Sequence, residues 1–394
     1  MPAGFPPADA MGVELAEQPG VWRALLGRFA EARAAVGVAL GGRPVERVVV
    51  AGCGDCHAAA EWAEWLWEPS LRVRGLSAME LSRARLHLLG PGTLLVALSV
   101  SGKTPRVLEA VACARAGGAR VLGLTDHPAS PLAREADAVF CLGASPPEAL
   151  DRTDYKNPRA AVYSGYHRPV PQTKTFGAMQ LALVAVGQAL GAGEGGEAWG
   201  ELPGVAGPAA EAAAAAGARA AAAARPGCRI AVAGTGPGLP AARFAAYKFL
   251  ELVVPAGHGE IEEFCHTWYL TTEPGDLVLF LVHDEATYER VAEIVPVVEG
   301  EIGAVVQALC TWAPAGEAPG WAVGLPAVGG RVAGILLPFA AAHWVRAVAR
   351  AWGVNTDRFR AGKDEERYVA GSTRMIRRSR LRVPGGGFPG RDDA

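Results

Sequence analysis

The chain has 394 residues, half of them hydrophobic, and its 38 lysine and arginine residues nearly balance 40 aspartate and glutamate residues for a formal net charge of −2. That length exceeds one ordinary domain, and the apolar share suffices for two domains with real cores. Near-neutrality gives no support to a polyanionic partner, so no nucleic-acid role is expected and a small metabolite fits better.

Residues 1–10 show no basic region followed by an apolar run, so no secretory signal is expected and the cytoplasm is the expected compartment. The most membrane-like stretch, Gly334 to Trp352, is interrupted by His343, Arg346 and Arg350, whereas a bilayer span wants about 20 apolar residues; it reads as a soluble core helix, and no membrane is expected. Seven scattered cysteines suit reduced thiols rather than a disulfide scaffold. Cys53-Gly54-Asp55-Cys56-His57 matches the spacing of covalent haem attachment, but that chemistry needs an exported apoprotein and a second axial ligand. No second C-x-x-C or H-x3-H completes a zinc site either, so no metal or cofactor is expected.

The β-branched run Arg47 to Ala51 ends in Gly52-Cys53-Gly54, and His57 to Trp67 follows with helical spacing. Strands at Leu94 to Leu98 and Arg120 to Thr125 alternate with helices at Pro105 to Ala116 and Pro131 to Ala136. Such alternation predicts a parallel sheet, and strands this apolar suit cover by helices on both faces, with Trp62, Trp65 and Leu66 supplying part of it. Gly191 to Gly207 reads as a hinge, followed by an alanine-rich helix over Pro208 to Arg225 that is expected to pack on the sheet. The opening pattern then recurs: Arg229 to Ala233, Gly234-Thr235-Gly236, and a helix from Pro240 to Leu252. A strand at Leu277 to Val282, a helix from Ala286 to Gly300 and a strand at Ala304 to Leu309 continue it. The expected division is a helical segment over 1–40, α/β domains over 41–195 and 205–355, and a tail over 356–394 whose arginines between Arg374 and Arg382 suit a solvated arm.

Ser99-Val100-Ser101-Gly102-Lys103-Thr104 stands between a buried strand and a helix, the place where parallel sheets bind ligands. Three hydroxyls and a helix N-terminus there favour a phosphate monoester over a bare helix cap. A Walker loop is excluded, because Ala97 stands where its first glycine belongs. Val170-Pro171-Gln172-Thr173-Lys174-Thr175, just before the apolar helix Phe176 to Leu190, is a candidate third wall.

These residues resemble the isomerase half of glucosamine-6-phosphate synthase and its stand-alone relatives with two SIS (sugar isomerase) domains. Glu14-Leu15-Ala16-Glu17-Gln18-Pro19 resembles the family's E-I-x-E-Q-P segment, Gly52 to Ala58 its A-C-G-T-S-x-H-A turn, and Ser99 to Thr104 its S-Q-S-G-E-T loop. Gln172-Thr173-Lys174 resembles S-T-K, and Ala245 to Glu251 resembles the A-L-K-L-K-E helix. The resemblance implies two flavodoxin-like, three-layer αβα domains, each with a mostly parallel sheet. It implies that Ser99, Ser101, Gly102 and Thr104 hold the substrate phosphate, with Gly54 and Cys56 nearby and Val170, Gln172 and Thr173 lining the sugar. Glu251 would move a proton between C1 and C2, His266 would open the ring, Lys363 would close over the sugar, and a homodimer would share its active sites.

The chain departs from the pattern at Cys56 (serine in the family), Val100 (glutamine), Lys103 (glutamate) and Thr267 (glycine). Because Val100 and Cys56 cannot reproduce the bonds of an amide and a hydroxyl, the relatives' sugar does not carry over. No glutaminase segment precedes the resemblance, so glutamine-derived ammonia is not expected. Glu251, His266, and Lys363 or Lys248 supply the base, acid and cation that aldose–ketose interconversion needs. Lys248 and Glu251, three apart on one helix, suit equally a surface ion pair. The Glu262-Glu263 run beside His266 suits a proton shuttle. His57 and Lys174 are secondary candidates for ligand contact. An isomerase of a hexose or aminohexose phosphate is the leading reading; an amino-sugar phosphate deaminase or deglycase and a non-catalytic phosphosugar sensor are the rivals.

Overall fold

The computed structural model describes residues 9–145, 170–192, 198–316 and 318–376; the arginine-rich tail beyond 376 and residues 193–197 of the expected hinge lie outside them. The described residues divide into two compact units, one within Met1–Trp22, Pro169–Gly177 and Gly196–Glu365, the other within Arg23–Arg168, Ala178–Gly195 and Glu366–Ala394.

In the second of these, strands β1 (Arg47–Gly52), β2 (Val73–Ser77), β3 (Thr93–Leu98), β4 (Arg120–Thr125) and β5 (Ala138–Cys141) form a parallel sheet in the order β2-β1-β3-β4-β5. Every residue of β3 is buried, as its unbroken apolar run predicts for a central strand covered on both faces. One face is sealed when Val49, Ala51, Leu95 and Ala97 meet Val107, Leu108 and Val111 of helix Pro105–Ala116. Helix Asp55–Trp67 packs on β1 and β2 and buries Trp62, Leu66 and Trp67, so the tryptophan cluster serves chiefly as core.

The other unit repeats the topology. Strands β6 (Ile230–Gly234), β7 (Ala256–Gly259), β8 (Leu277–Val282), β9 (Val305–Cys310) and β10 (Ala322–Gly324) run parallel in the order β10-β9-β8-β6-β7. Numbered within its own unit, each sheet has the flavodoxin-like order 2-1-3-4-5. Val278, Phe280, Val282 and Ala308 meet Val291, Ile294 and Val295 of helix Glu285–Val295. Helix Gly330–Ala351 is long and apolar enough to cross a bilayer, but 83% of its apolar window is buried within the protein, which makes it a core helix as expected.

Several expectations are corrected. The alanine-rich helix spans Leu202–Ala223 and packs chiefly on helix Gly330–Ala351, with only minor contacts to β9 and β10. Small residues allow that approach: a Cβ on Gly217 would lie 2.6 Å from the Trp344 carbonyl oxygen. Residues 199–207 of the expected hinge are helical, since Pro203 sits in the first turn where its missing N–H costs nothing. The helix predicted to Gly300 ends as an α-helix at Val295, and Pro296, which cannot donate to the ladder, opens a π-helical turn to Glu301.

Two histidines in the unit of β6–β10 are held neutral. Burial, aided by Arg243, lowers the His258 pKa to about 4, and burial, aided by Arg346, does the same to His343. Both take up protons on unfolding at pH values below about 6.5, so their contribution is present above that pH and is lost as the pH falls toward 4. Urea unfolding across that window should show stability falling on acidification, and His343→Asn should remove about 2 kcal/mol of the fall; an unchanged slope would contradict the assignment.

Candidate functional site

In a 2-1-3-4-5 sheet the connections leaving the first and third strands diverge and open a crevice at their carboxyl ends. In the first sheet these are Gly52-Cys53-Gly54 after β1 and Ser99 to Thr104 after β3. Gly54 (φ 58°, ψ −128°) takes a conformation essentially reserved for glycine and starts helix Asp55–Trp67. Gly102 is left-handed (φ +61°), and a Cβ there would lie 2.0 Å from Ser130 Oγ. Its N–H donates to the Ser99 carbonyl at 2.9 Å and closes the loop on itself.

That closure gathers the hydroxyls. Ser99 Oγ lies 2.9 Å from Thr104 Oγ1 and 3.5 Å from Ser101 Oγ, and Ser101 Oγ accepts from the Lys103 amide at 3.3 Å. Thr104 occupies the cap position of helix Pro105–Ala116 yet makes no side-chain cap bond. The helix-cap reading therefore fails for Thr104, whose hydroxyl turns to Ser99 instead. Three hydroxyls at a helix N-terminus can donate to one anion.

Cys56 borders the same crevice. Burial pushes its thiol up to about 12 against the opposing pull of a hydrogen bond with the Val100 backbone, so it is a neutral thiol that ties the β1 turn to the β3 loop. His57 Nε2 lies 3.5 Å from Glu61 on its own helix. Among the described residues no cluster of three metal-ligating side chains occurs.

The corresponding place in the second sheet was not read from the sequence. Thr235 and Gly236 after β6, and His283 and Asp284 after β8, line a cavity of about 340 Å³ with Glu260, Glu262, Thr287 and Arg290. Here the protein's own carboxylates cap the helices. Asp284 accepts from the Thr287 amide at 2.9 Å, and Glu260 from the Glu262 and Glu263 amides at 2.7 and 3.3 Å. Burial holds His283 below its ordinary pKa, against the opposing effect of Asp284. An incoming anion would meet carboxylates at these helix starts. The signal was legible as His283-Asp284 directly after the run Leu277 to Val282.

Glu251 ends helix Gly238–Glu251, and the fully buried Lys248 Nζ donates to both of its oxygens at 3.0 and 2.9 Å. The lysine also lies 5.2 Å from the Phe244 ring centroid. This is no ordinary surface pair: the ammonium is enclosed while the carboxylate stays 27% exposed. Lys363 is exposed and follows the turn Phe359–Gly362, which contacts the helix of Glu251 and holds Arg360 and Ala361 left-handed (φ 56° and 52°). His266 is 70% exposed and lies 3.5 Å from Glu262, which Arg290 engages at 2.9 Å and holds below its ordinary pKa. Val170 is buried, and the Thr175 hydroxyl donates to the Gln172 side-chain oxygen at 3.2 Å. Lys174 does not extend into solvent; it is buried and paired with Glu14 and Glu17.

Two parallel 2-1-3-4-5 sheets, one with a hydroxyl-lined loop at its switch point, define an α/β protein of the doubly wound class. Residues 43–154 match the family model described as the SIS domain. A glutamine–fructose-6-phosphate aminotransferase (isomerizing) of Streptomyces coelicolor is 37% identical over 158 residues, covering 37% of this chain and 25% of that protein. The match thus spans about a quarter of the curated relative's length. Among solved structures, the C-terminal domain of glucosamine-fructose-6-phosphate aminotransferase from Francisella tularensis superposes with a TM-score of 0.68 at 15% identity, covering 88% of this chain and 97% of that one. The tagatose-6-phosphate ketose/aldose isomerase of Escherichia coli gives 0.64 at 18% identity, covering 86% and 92%. At these identities the likeness is one of fold.

Titration with inorganic phosphate, followed by calorimetry, should show Ser101→Ala and Thr104→Ala each weakening binding by about tenfold. Asp284→Ala should leave it unchanged; a loss there, or none at Ser101 and Thr104, would place the anion elsewhere.

Proposed function

We propose that the chain is a sugar-phosphate isomerase that interconverts the aldose and ketose forms of a hexose or aminohexose phosphate through an enediol or enediolamine. The observation that carries the reaction is the Lys248–Glu251 pair: an enclosed ammonium grips both oxygens of a carboxylate that remains accessible. Such a carboxylate is held in a fixed orientation, as a general base requires. The hydroxyl loop supports the choice of ligand, because it offers donors to a phosphate dianion.

In the proposed step the open-chain sugar is bound through its phosphate by Ser99, Ser101 and Thr104. Glu251 takes the proton from the carbon next to the carbonyl, the electron pair moves into a C=C bond, and the former carbonyl oxygen becomes an enediolate stabilised by a cation, Lys248 or Lys363. Transfer of the adjacent hydroxyl's proton to the enediolate oxygen and delivery of a proton from Glu251 to the neighbouring carbon complete the isomerisation, so no redox partner is consumed. The mostly exposed His266 suits ring opening at a neighbouring copy's site, which makes the working form a homodimer.

Two measurements test this reading. Glu251→Gln should abolish solvent exchange of the C2 proton of hexose phosphates while phosphate binding persists; retained exchange, or ammonia released from an aminohexose phosphate, would contradict it. Mixing inactive Glu251→Gln and His266→Ala proteins should restore roughly a quarter of wild-type activity, because half of randomly paired dimers carry one intact site. No recovery on mixing would remove the shared site.

A further inference from the structure

In the unit of β1–β5, one buried carboxylate beside the hydroxyl loop holds two guanidiniums. Glu109 belongs to helix Pro105–Ala116, the helix that the loop opens, and the residue is buried. Its Oε2 accepts from Arg106 Nη1 at 2.6 Å, on the same helix, and from Arg83 Nη2 at 2.7 Å, on helix Ala78–Ala84. The two arginine side chains are themselves mostly withdrawn from solvent, at 18% exposure for Arg83 and 21% for Arg106. One carboxylate balances only one guanidinium, so these three side chains together are positively charged. Ion pairs of this kind add little stability over apolar packing of the same volume, which leaves the surplus charge as the feature to explain.

Its position points to the crevice. Arg106 stands in the first turn of its helix, two residues past Thr104, so the two α-carbons lie within about 7 Å of each other. It also reaches the opposite wall: burial pushes up the thiol of Cys53, in the turn after β1, and Arg106 is close enough to pull against that rise. The other helix that starts at this crevice works the opposite way. Asp55 lies in the first turn of helix Asp55–Trp67, and its carboxylate adds to the rise that burial imposes on Cys56. An incoming dianion thus meets a negative side chain at one helix start and positive ones at the other. Lys103, in the loop itself, is half-exposed, and water screens its charge more. The arginines, fixed by Glu109 and largely out of water, are felt more strongly.

We propose that the Arg83–Glu109–Arg106 triad is the electrostatic part of the anion site: its net positive charge, rather than its ion pairs, raises the affinity of the hydroxyl loop for a dianion. The inference rests on the reading of Ser99 to Thr104 as a phosphate loop and adds the source of its charge. The hydroxyls make the contacts, the two guanidiniums supply the field, and Glu109 is a positioning residue that fixes where they stand. Because the energy scales with the ligand's charge, a phosphate monoester dianion gains about twice what a singly charged group would.

The test is calorimetric titration of the full-length protein with inorganic phosphate, the probe, at low ionic strength. Arg106→Gln should weaken binding by about fivefold, with the difference narrowing as salt is added, and Arg106→Lys should restore most of the loss. Glu109→Gln should move binding the other way, tightening it by about fivefold, because it removes the one negative charge of the triad. A purely structural lock between the two helices would make both glutamine variants bind more weakly. That outcome, or no change in Arg106→Gln, would overturn the proposal. Should Glu109→Gln not fold with two guanidiniums facing each other, Arg83→Gln/Glu109→Gln carries the same comparison: it should bind phosphate about fivefold more tightly than Arg83→Gln alone, and equal or weaker binding would contradict the charge role. Wild-type protein that shows no saturable phosphate binding would sink the phosphate-loop reading instead, whereas wild-type binding that is indifferent to these charges would sink only the triad.

Discussion

At Gly102 the backbone turns left-handed with its α-carbon pressed against the Ser130 side chain, and the positions of three hydroxyls follow from that turn. Any side chain at 102 would collide with Ser130 and strain the backbone as well. Because the turn is enforced from behind, the Gly102 amide reaches the Ser99 carbonyl, and Ser99, Ser101 and Thr104 face one another. The helix beginning at Pro105 contributes its N-terminal partial charge at the same place. Thr125, whose hydroxyl donates to the Val100 carbonyl at 3.0 Å, braces the loop from β4.

The two sheets share a strand order but not the chemistry at their switch points. In the first, hydroxyls and a neutral thiol leave the helix N-terminus to an incoming anion. In the second, Asp284 and Glu260 are themselves the anions, so the helix ends are satisfied by the chain. Among the described residues the hydroxyl-lined loop stands at the first switch point, and the second unit carries the Lys248–Glu251 pair at a helix C-terminus. A cation in the last turn is also where the helix dipole favours it.

Central strands and glycine turns were legible because their signals are local. Leu277–Val282 is an uninterrupted apolar run and Arg120–Thr125 carries Val121, Leu122 and Leu124, and both were read to the residue; Pro105–Ala116 is bounded by a proline and a glycine. The strands Val73–Ser77, Ala138–Cys141, Ala256–Gly259 and Ala322–Gly324 were not read. They stand at sheet edges, are short, and carry little continuous apolar character, since each pairs with a single neighbour. The partner of the alanine-rich helix was misread because thin side chains suit a close helix crossing as well as a sheet. Glu14 was noticed only by resemblance, for its partners lie about 160 residues away and no local pattern announces them. Lys174 illustrates the same limit: nothing in Gln172-Thr173-Lys174 shows that its ammonium is enclosed between two glutamates.

The central claim is that the Gly102 turn creates an anion site at the first switch point and that the second sheet has none. Amide resonances of the intact protein followed during titration with inorganic phosphate test it most directly. The account predicts saturable shifts confined to residues near 99–106 and 54–57, with residues 235–236 and 283–287 unmoved. Shifts centred on the second group, or no saturable shift in the first, would contradict it.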